Sequence, residues 1–245
     1  MSSAVNSRSG GAARTQMQGY FSVADMLRRV FSRRSSNPGE ALAGDGNIPL
    51  ASLTYTVFDT ETTGLRPSDG DEIIAIGAIR MAEGRLIGGE TFDLLVDPGR
   101  GIPPASSRVH GIDETMVRGQ PQIVTVLPDF FGFARDTVLV GHNAAFDMKF
   151  FRLKEAACGV RFTMPVLDTL LLSEVVTPHI EDHSLEGIAG RLGVAVEARH
   201  TALGDARVTG EIFLRLLPLL AAKGITTLEQ ALKASKKTSL ARVKY

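Results

Sequence analysis

Three β-rich runs follow one another between Leu53 and Val96, LTYTVF, IIAIGAIRM and LIGGETFDLLV, joined by Gly- and Asp-containing turns with no helical spacing between them. After residue 120 the pattern changes. Val124, Leu127, Phe130, Phe131 and Ala134 recur at helical spacing, and a short apolar run, Val138 to Val140, ends at Gly141. Residues 144–157, 168–176 and 184–192 read as helices, and a longer one over 202–221 lines up Ala206, Phe213, Leu216 and Leu220 on one stripe. Strands first, then helices alternating with short strands, predict a mixed sheet with helices packed on it and exclude a simple alternating all-parallel sheet. There is no internal repeat.

The chain has 245 residues and a formal net charge of zero, which conceals an uneven distribution. Residues 1–48 carry six basic and three acidic side chains, residues 223–245 carry six and one, and residues 49–222 carry 15 and 23. The sequence therefore divides into an N-terminal arm (1–48), an acidic central domain (49–222) and a basic C-terminal tail (223–245). A net −8 domain would repel a nucleic acid unless cations intervene. The arm contains one ordered-looking stretch: Val23, Met26, Leu27 and Val30 make a short amphipathic helix with Ser22 as N-cap and Arg28, Arg29, Arg33 and Arg34 beside it. Two readings stand for this helix: it folds back on the domain or frays in solvent, or it docks on an anionic surface or a partner protein. A single cysteine, Cys158, rules out an intramolecular disulfide or a Cys-based zinc site, reads as core packing, and fits the reducing cytoplasm. No apolar run is long enough to span a membrane.

Chemistry is concentrated in three short segments. Asp59-Thr60-Glu61-Thr62-Thr63-Gly64-Leu65 follows the first strand, and residues two apart in an extended segment point to one side. Asp59 and Glu61 thus bring two carboxylates together, an arrangement that calls for a cation such as Mg²⁺ or Mn²⁺. Gly141-His142-Asn143-Ala144-Ala145-Phe146-Asp147 follows a later strand and places Asp147 in the first turn of a helix, where the dipole alone would favour it. His200 and Asp205 straddle the start of the last long helix. Each segment alone has an ordinary structural explanation: a solvated turn, a helix-start acid, a surface histidine. Their order along the chain is what carries information.

DTETTG, HNAAFD and HTALGDA, in that order, resemble the motifs of the DEDDh 3′→5′ exonucleases, the family of the proofreading epsilon subunits of bacterial DNA polymerase III and their stand-alone relatives; the resemblance spans residues 53–222. It implies an α/β, ribonuclease-H-like fold, a five-stranded mixed sheet flanked by helices. It also implies that Asp59, Glu61, Asp147 and Asp205 hold two Mg²⁺ (or Mn²⁺) and that His200 is the general base. The charges agree, four carboxylates against two divalent ions, and two metals about 4 Å apart serve both ends of an in-line displacement. A histidine with an ordinary pKa near about 6.5 can take a proton at neutral pH. By the same resemblance Glu61 and the backbone at Thr62 hold the terminal 3′-hydroxyl, Gly64 allows close approach, and Leu65 wedges against the last bases. His110, Asn143 and Phe146 match positions near the substrate, Phe146 also being a core candidate. Asp168 matches a recurring family feature and is read as strand-end packing, not as a ligand.

The implied substrate is a single-stranded or frayed DNA 3′ end, because only an unpaired strand enters so narrow an acidic cleft. Two alternatives stand beside it. Ribonuclease T and oligoribonuclease share the same five residues and act on RNA 3′ ends, and the sequence offers no evident reader of a 2′-hydroxyl. A non-catalytic subunit that binds nucleic-acid ends is the other. The chain shows no convincing sliding-clamp peptide, which speaks against membership of the replicative polymerase and leaves a stand-alone repair or nucleotide-salvage exonuclease, or attachment through the N-terminal arm to a DNA polymerase or other protein, equally open.

Overall fold

A computed structural model describes residues 47–242. The basic amphipathic helix expected around Val23 lies outside the described residues. The sheet has five strands. β1 (Tyr55–Thr62), β2 (Ile73–Ala82) and β3 (Arg85–Leu95) form an antiparallel meander, and β4 (Val138–Gly141) and β5 (Val166–Asp168) continue in parallel from the other edge of β1, in the order β3-β2-β1-β4-β5. This is the mixed sheet that the strand-then-helix pattern predicts.

Among the described residues eight α-helices accompany it: α1 (Pro104–His110), α2 (Glu114–Val117), α3 (Ile123–Ala134), α4 (Ala144–Cys158), α5 (Thr169–Val176), α6 (Leu185–Leu192), α7 (Ala202–Ala222) and α8 (Leu228–Ser235). The pleat sorts the residues of β1 between two cores. Tyr55 and Val57 face one side, with Ile79 and Met81 of β2, and pack against Val208, Ile212, Phe213 and Leu216 of α7. Phe58 faces the other, where Phe130, Phe151 and Phe162 gather with centroid separations of 5.2–6.0 Å. Cys158 packs against this second core, as expected. The pleat then continues past the apolar residues: Asp59 and Glu61 leave β1 on the α7 side and Thr60 on the α4 side.

Besides β5, three helices have no counterpart among the runs read from the sequence. α1 and α2 follow β3, the first opened by Pro104 at a helix start, the second capped by Asp113. The third changes a boundary. Residues 223–245, read as a basic tail, do not leave the domain at 223: Thr227 and Gln230 form a capping box, and Leu228 and Ala231 of α8 are buried in the core beside Leu50. Leu50 N donates to Thr226 O at 2.8 Å and Leu228 N to Ile48 O at 3.0 Å, so the two ends of the domain close on each other. Glu174 then accepts from the backbone of Ser239 and Leu240. The lysine count hid a stripe at i, i+3, i+4, namely Leu228, Ala231 and Leu232. Among the described residues no helix is long and apolar enough to cross a membrane.

Candidate active site

The three chemistry-bearing segments converge at one edge of the sheet. Asp59 and Glu61 project from the end of β1, and Asp205 approaches them from the first turns of α7; one carboxylate oxygen from each lies within 4.8 Å of the others. The approach depends on a residue the sequence reading passed over. Gly77 of β2 pairs with Asp59, and a Cβ there would run into the backbone of Ala202 and Leu203. The missing side chain lets the start of α7 sit directly on the sheet.

Asp147 reaches the same edge from the other face. It is buried in the first turn of α4, and Thr60 Oγ1 donates to its Oδ1 at 2.5 Å, tying α4 to β1. Asp168 sets the geometry upstream. Its carboxylate accepts from Asn143 N (2.9 Å), Ala144 N (3.0 Å) and Leu170 N (2.9 Å), holding Asn143 at φ 55° and fixing where α4 begins. The strand-end packing expected for Asp168 is thus a three-donor clamp on the turn that carries Asp147. His142, beside it, hydrogen-bonds through Nδ1 with Thr169 Oγ1 at 3.0 Å, and burial holds its pKa down at about 4.

Burial and crowding leave Asp59, Glu61 and Asp147 reluctant to ionise. Burial, then the neighbouring charges of Asp147, Asp205 and Glu61, hold the Asp59 carboxyl well above the usual range. Glu61 is pushed up to about 7 by burial and then by Asp205 and Asp147. Burial likewise raises Asp147 to about 7, against the opposing pull of the Thr60 hydrogen bond. Such a group is stabilised by a bound cation. One atom has no other explanation: Asp205 Oδ1 is buried and unpartnered. The donor set fits a hard divalent ion, oxygen atoms only.

The remaining predicted residues lie around this cluster in different environments. His200 is exposed, with its backbone N–H donating to Asp205 Oδ2 at 3.3 Å. Thr62 is buried at the strand end, its hydroxyl donating to Gly64 O at 2.7 Å. A Cβ on Gly64 would meet the tip of the Asp71 side chain, whose carboxylate accepts from Thr63 Oγ1 and Arg66 N across the same loop. Leu65, 79% exposed, stands clear of both cores. His110 is buried, with Nδ1 accepting from Ile112 N at 3.1 Å, and burial holds its pKa below the usual histidine value. Phe146 is half-buried and turns its ring edge to Phe150, 5.2 Å between centroids, against the aromatic core.

The profile of the exonuclease family RNase_T matches residues 56–213, which contain all of these groups except those of α8. The chain belongs to that family. Its curated relatives include a DNA polymerase III subunit epsilon-like protein of Rhodobacter capsulatus, 56% identical over 181 residues, and a PolC-type DNA polymerase III of Thermotoga maritima, 38% identical over 178 residues. The matches cover 73% and 72% of this chain but only 26% and 13% of the relatives, so the exonuclease domain corresponds to a minor part of each. Among solved structures, exonuclease X in complex with 5′ overhanging duplex DNA superposes with a TM-score of 0.57 at 26% identity, covering 74% of this chain and 99% of that one. Escherichia coli exonuclease I, solved with a dA16 oligonucleotide, gives 0.61 at 17% identity over 70% of this chain and 42% of that one, and shares the ribonuclease-H-like fold. The exonuclease family is divalent-metal dependent, in keeping with the acidic cluster.

Proposed function

We propose that the chain is a metal-dependent 3′→5′ exonuclease that removes nucleoside 5′-monophosphates from single-stranded or frayed DNA ends. The observation that carries this reading is the meeting of Asp59, Glu61 and Asp205 within 4.8 Å, with Asp147 joined through Thr60 and a buried oxygen of Asp205 left unsatisfied. Asp59, Glu61, Asp147 and Asp205 would hold two Mg²⁺ or Mn²⁺. Bound there, the ions supply Lewis-acid stabilisation at the attacking and leaving oxygens.

The chain's own residues do the rest. Water attacks the last phosphorus, the bond from phosphorus to the penultimate O3′ breaks, that oxygen takes up a proton, and the terminal nucleotide leaves as a 5′-monophosphate. His200, exposed at the mouth and tethered by its backbone to Asp205, is placed to accept the proton from the attacking water. Glu61 and the Thr62 backbone hold the terminal 3′-hydroxyl, and exposed Leu65 presents an apolar surface on which unpaired bases separate. Asn143 and His110 would stand beside the approach, His110 from a buried position, while the contacts of Phe146 support its reading as core. The likeness to DNA polymerase III proteins supports a role in proofreading or DNA repair, and attachment to a polymerase would run through residues 1–48; pull-downs with and without that arm test it.

The decisive assay is degradation of 3′-labelled and 5′-labelled DNA and RNA oligonucleotides of matched sequence with Mg²⁺ or Mn²⁺. Faster loss of single-stranded DNA from its 3′ end, abolished in Asp59→Ala, is expected. Preference for RNA would move the enzyme to the ribonuclease T type, and binding without turnover would make it an end-binding subunit.

A further inference from the structure

A cation already faces the acids. Arg199, one residue before His200, pairs through Nη1 with Asp205 Oδ2 and donates from Nε and Nη2 to Glu186 Oε1 at 2.8 and 2.5 Å. Its charge also acts on Asp59 and Glu61. The Arg199 side chain is 23% exposed and that of Asp205 9%, so this pair is largely shielded from water, whereas Glu186, 56% exposed, stands on the solvent side. Ala198 and His200, on either side, both adopt positive φ, 50° and 61°, a region that non-glycine residues enter only when held there. The loop is held at three points: the Arg199 pairs, Thr201 Oγ1 donating to Ala198 O at 2.7 Å, and His200 N on Asp205.

Asp205 therefore divides its two oxygens unequally. Oδ2 carries the guanidinium and a backbone N–H, whereas Oδ1 is buried with nothing. A divalent ion drawing on this carboxylate would sit within a few ångströms of a guanidinium in contact with it, and like charges at that separation in a shielded site repel strongly. That repulsion opposes Arg199 staying on Asp205 Oδ2 once an ion is held at Oδ1, and Glu186, at the start of α6, is already bonded to Arg199 from the outer side.

We propose that Arg199 is the internal counter-ion of the metal-free acid cluster, that it exchanges with the divalent ion, and that Glu186 is the acceptor that takes Arg199 as the ion enters. This rests on the reading of Asp205 as a metal-binding carboxylate. Both are positioning residues, acting through Asp205 and through the loop that carries His200. Metal loading and the placement of the base are then one event, because releasing Arg199 from Asp205 frees the segment to which His200 belongs.

The test is Mn²⁺ binding to the full chain without nucleic acid, by titration calorimetry. Arg199→Gln should tighten binding about fivefold to tenfold, in the usual range of coupling between linked sites. Glu186→Gln should weaken it several-fold, because Arg199 then has no other acceptor and stays on Asp205. A purely through-space effect of the two charges would give the same signs, so the double variant decides. Exchange requires that Glu186→Gln change nothing once Arg199 is Gln; additive shifts, or an Arg199→Gln that binds no tighter than the parent, overturn the proposal. Arg199→Lys, which keeps the charge but cannot bridge both carboxylates, should bind Mn²⁺ more tightly than the parent and serves if Arg199→Gln fails to fold. Asp205→Asn separates the two readings. If it binds Mn²⁺ like the parent, the metal assignment has failed. If it does not, and the cycle is additive, only the exchange has failed.

Discussion

Gly77→Ala tests whether the active site depends on the distance between α7 and the sheet. The added methyl would lie 2.6 Å from Ala202 O and closer still to the neighbouring backbone atoms of Ala202 and Leu203. Ordinary carbon contacts begin near about 3.5 Å, so the start of α7 must withdraw by about 1 Å. No flexible side-chain tip is available to give way, since the obstructing atoms are backbone. Asp205 lies one turn along the same helix and would move with it, out of reach of Asp59 and Glu61. A displacement of about 1 Å at reacting groups lowers turnover about 100-fold. Overpacking in a well-filled interior costs about 1–3 kcal/mol of stability, which a domain with two aromatic and aliphatic cores can bear. The assay is kcat on a 3′-labelled single-stranded oligonucleotide, with a thermal melt to show that the variant is folded. A folded Gly77→Ala with turnover within threefold of the parent would refute the claim that the close approach at this glycine assembles the acids.

Asp59→Asn should abolish turnover and yet raise the Tm of the metal-free protein, because it removes a buried like charge; a Tm below the parent's would contradict the picture of repelling carboxylates. The same repulsion gives a pH dependence. Glu61 and Asp147, at about 7 in the folded protein, sit above ordinary carboxyls near about 4, so the metal-free fold holds extra protons across that window and loses stability as the pH rises through it. Melting in chelator should therefore fall between pH 5 and pH 7 on the order of several degrees, and Mn²⁺ should restore it; a melt that rose with pH would oppose the reading. Asp168→Ala strips three backbone donors of their acceptor and should cost about 1–3 kcal/mol in denaturant unfolding together with weaker Mn²⁺ binding through Asp147. Deleting residues 233–245 cuts into α8 and the segment bound by Glu174, so unfolding at lower denaturant should accompany any loss of salt-sensitive DNA capture, whereas neutralising Lys236 and Lys237 should change capture alone.

The carboxylates were legible because their chemistry constrains local spacing. Asp59 and Glu61 must be two apart on a strand to share a side, and His200 and Asp205 must flank a helix start. The partners that hold them were not legible, for a physical reason that differs from residue to residue. Gly77 matters for what it lacks, and nothing in IIAIGAIRM says which helix will lie against it. Asp168 earns its role from donors 24 and 25 residues away, and Thr60 from an acid 87 residues away. Arg199 carries no signal of its own in the sequence, because Glu186, which holds it, comes from another helix.

The zero net charge shows the same division. The sequence by itself determined that the central segment is acidic, that three strands precede the helices, and which residue types could bind a metal, since composition, alternation and short spacings are properties of neighbours along a chain. Only the tertiary structure decided that the acids meet, that an arginine stands among them, and that much of the C-terminal basic segment is part of the domain. Those depend on which distant surfaces bury one another, and burial is settled by the fold as a whole.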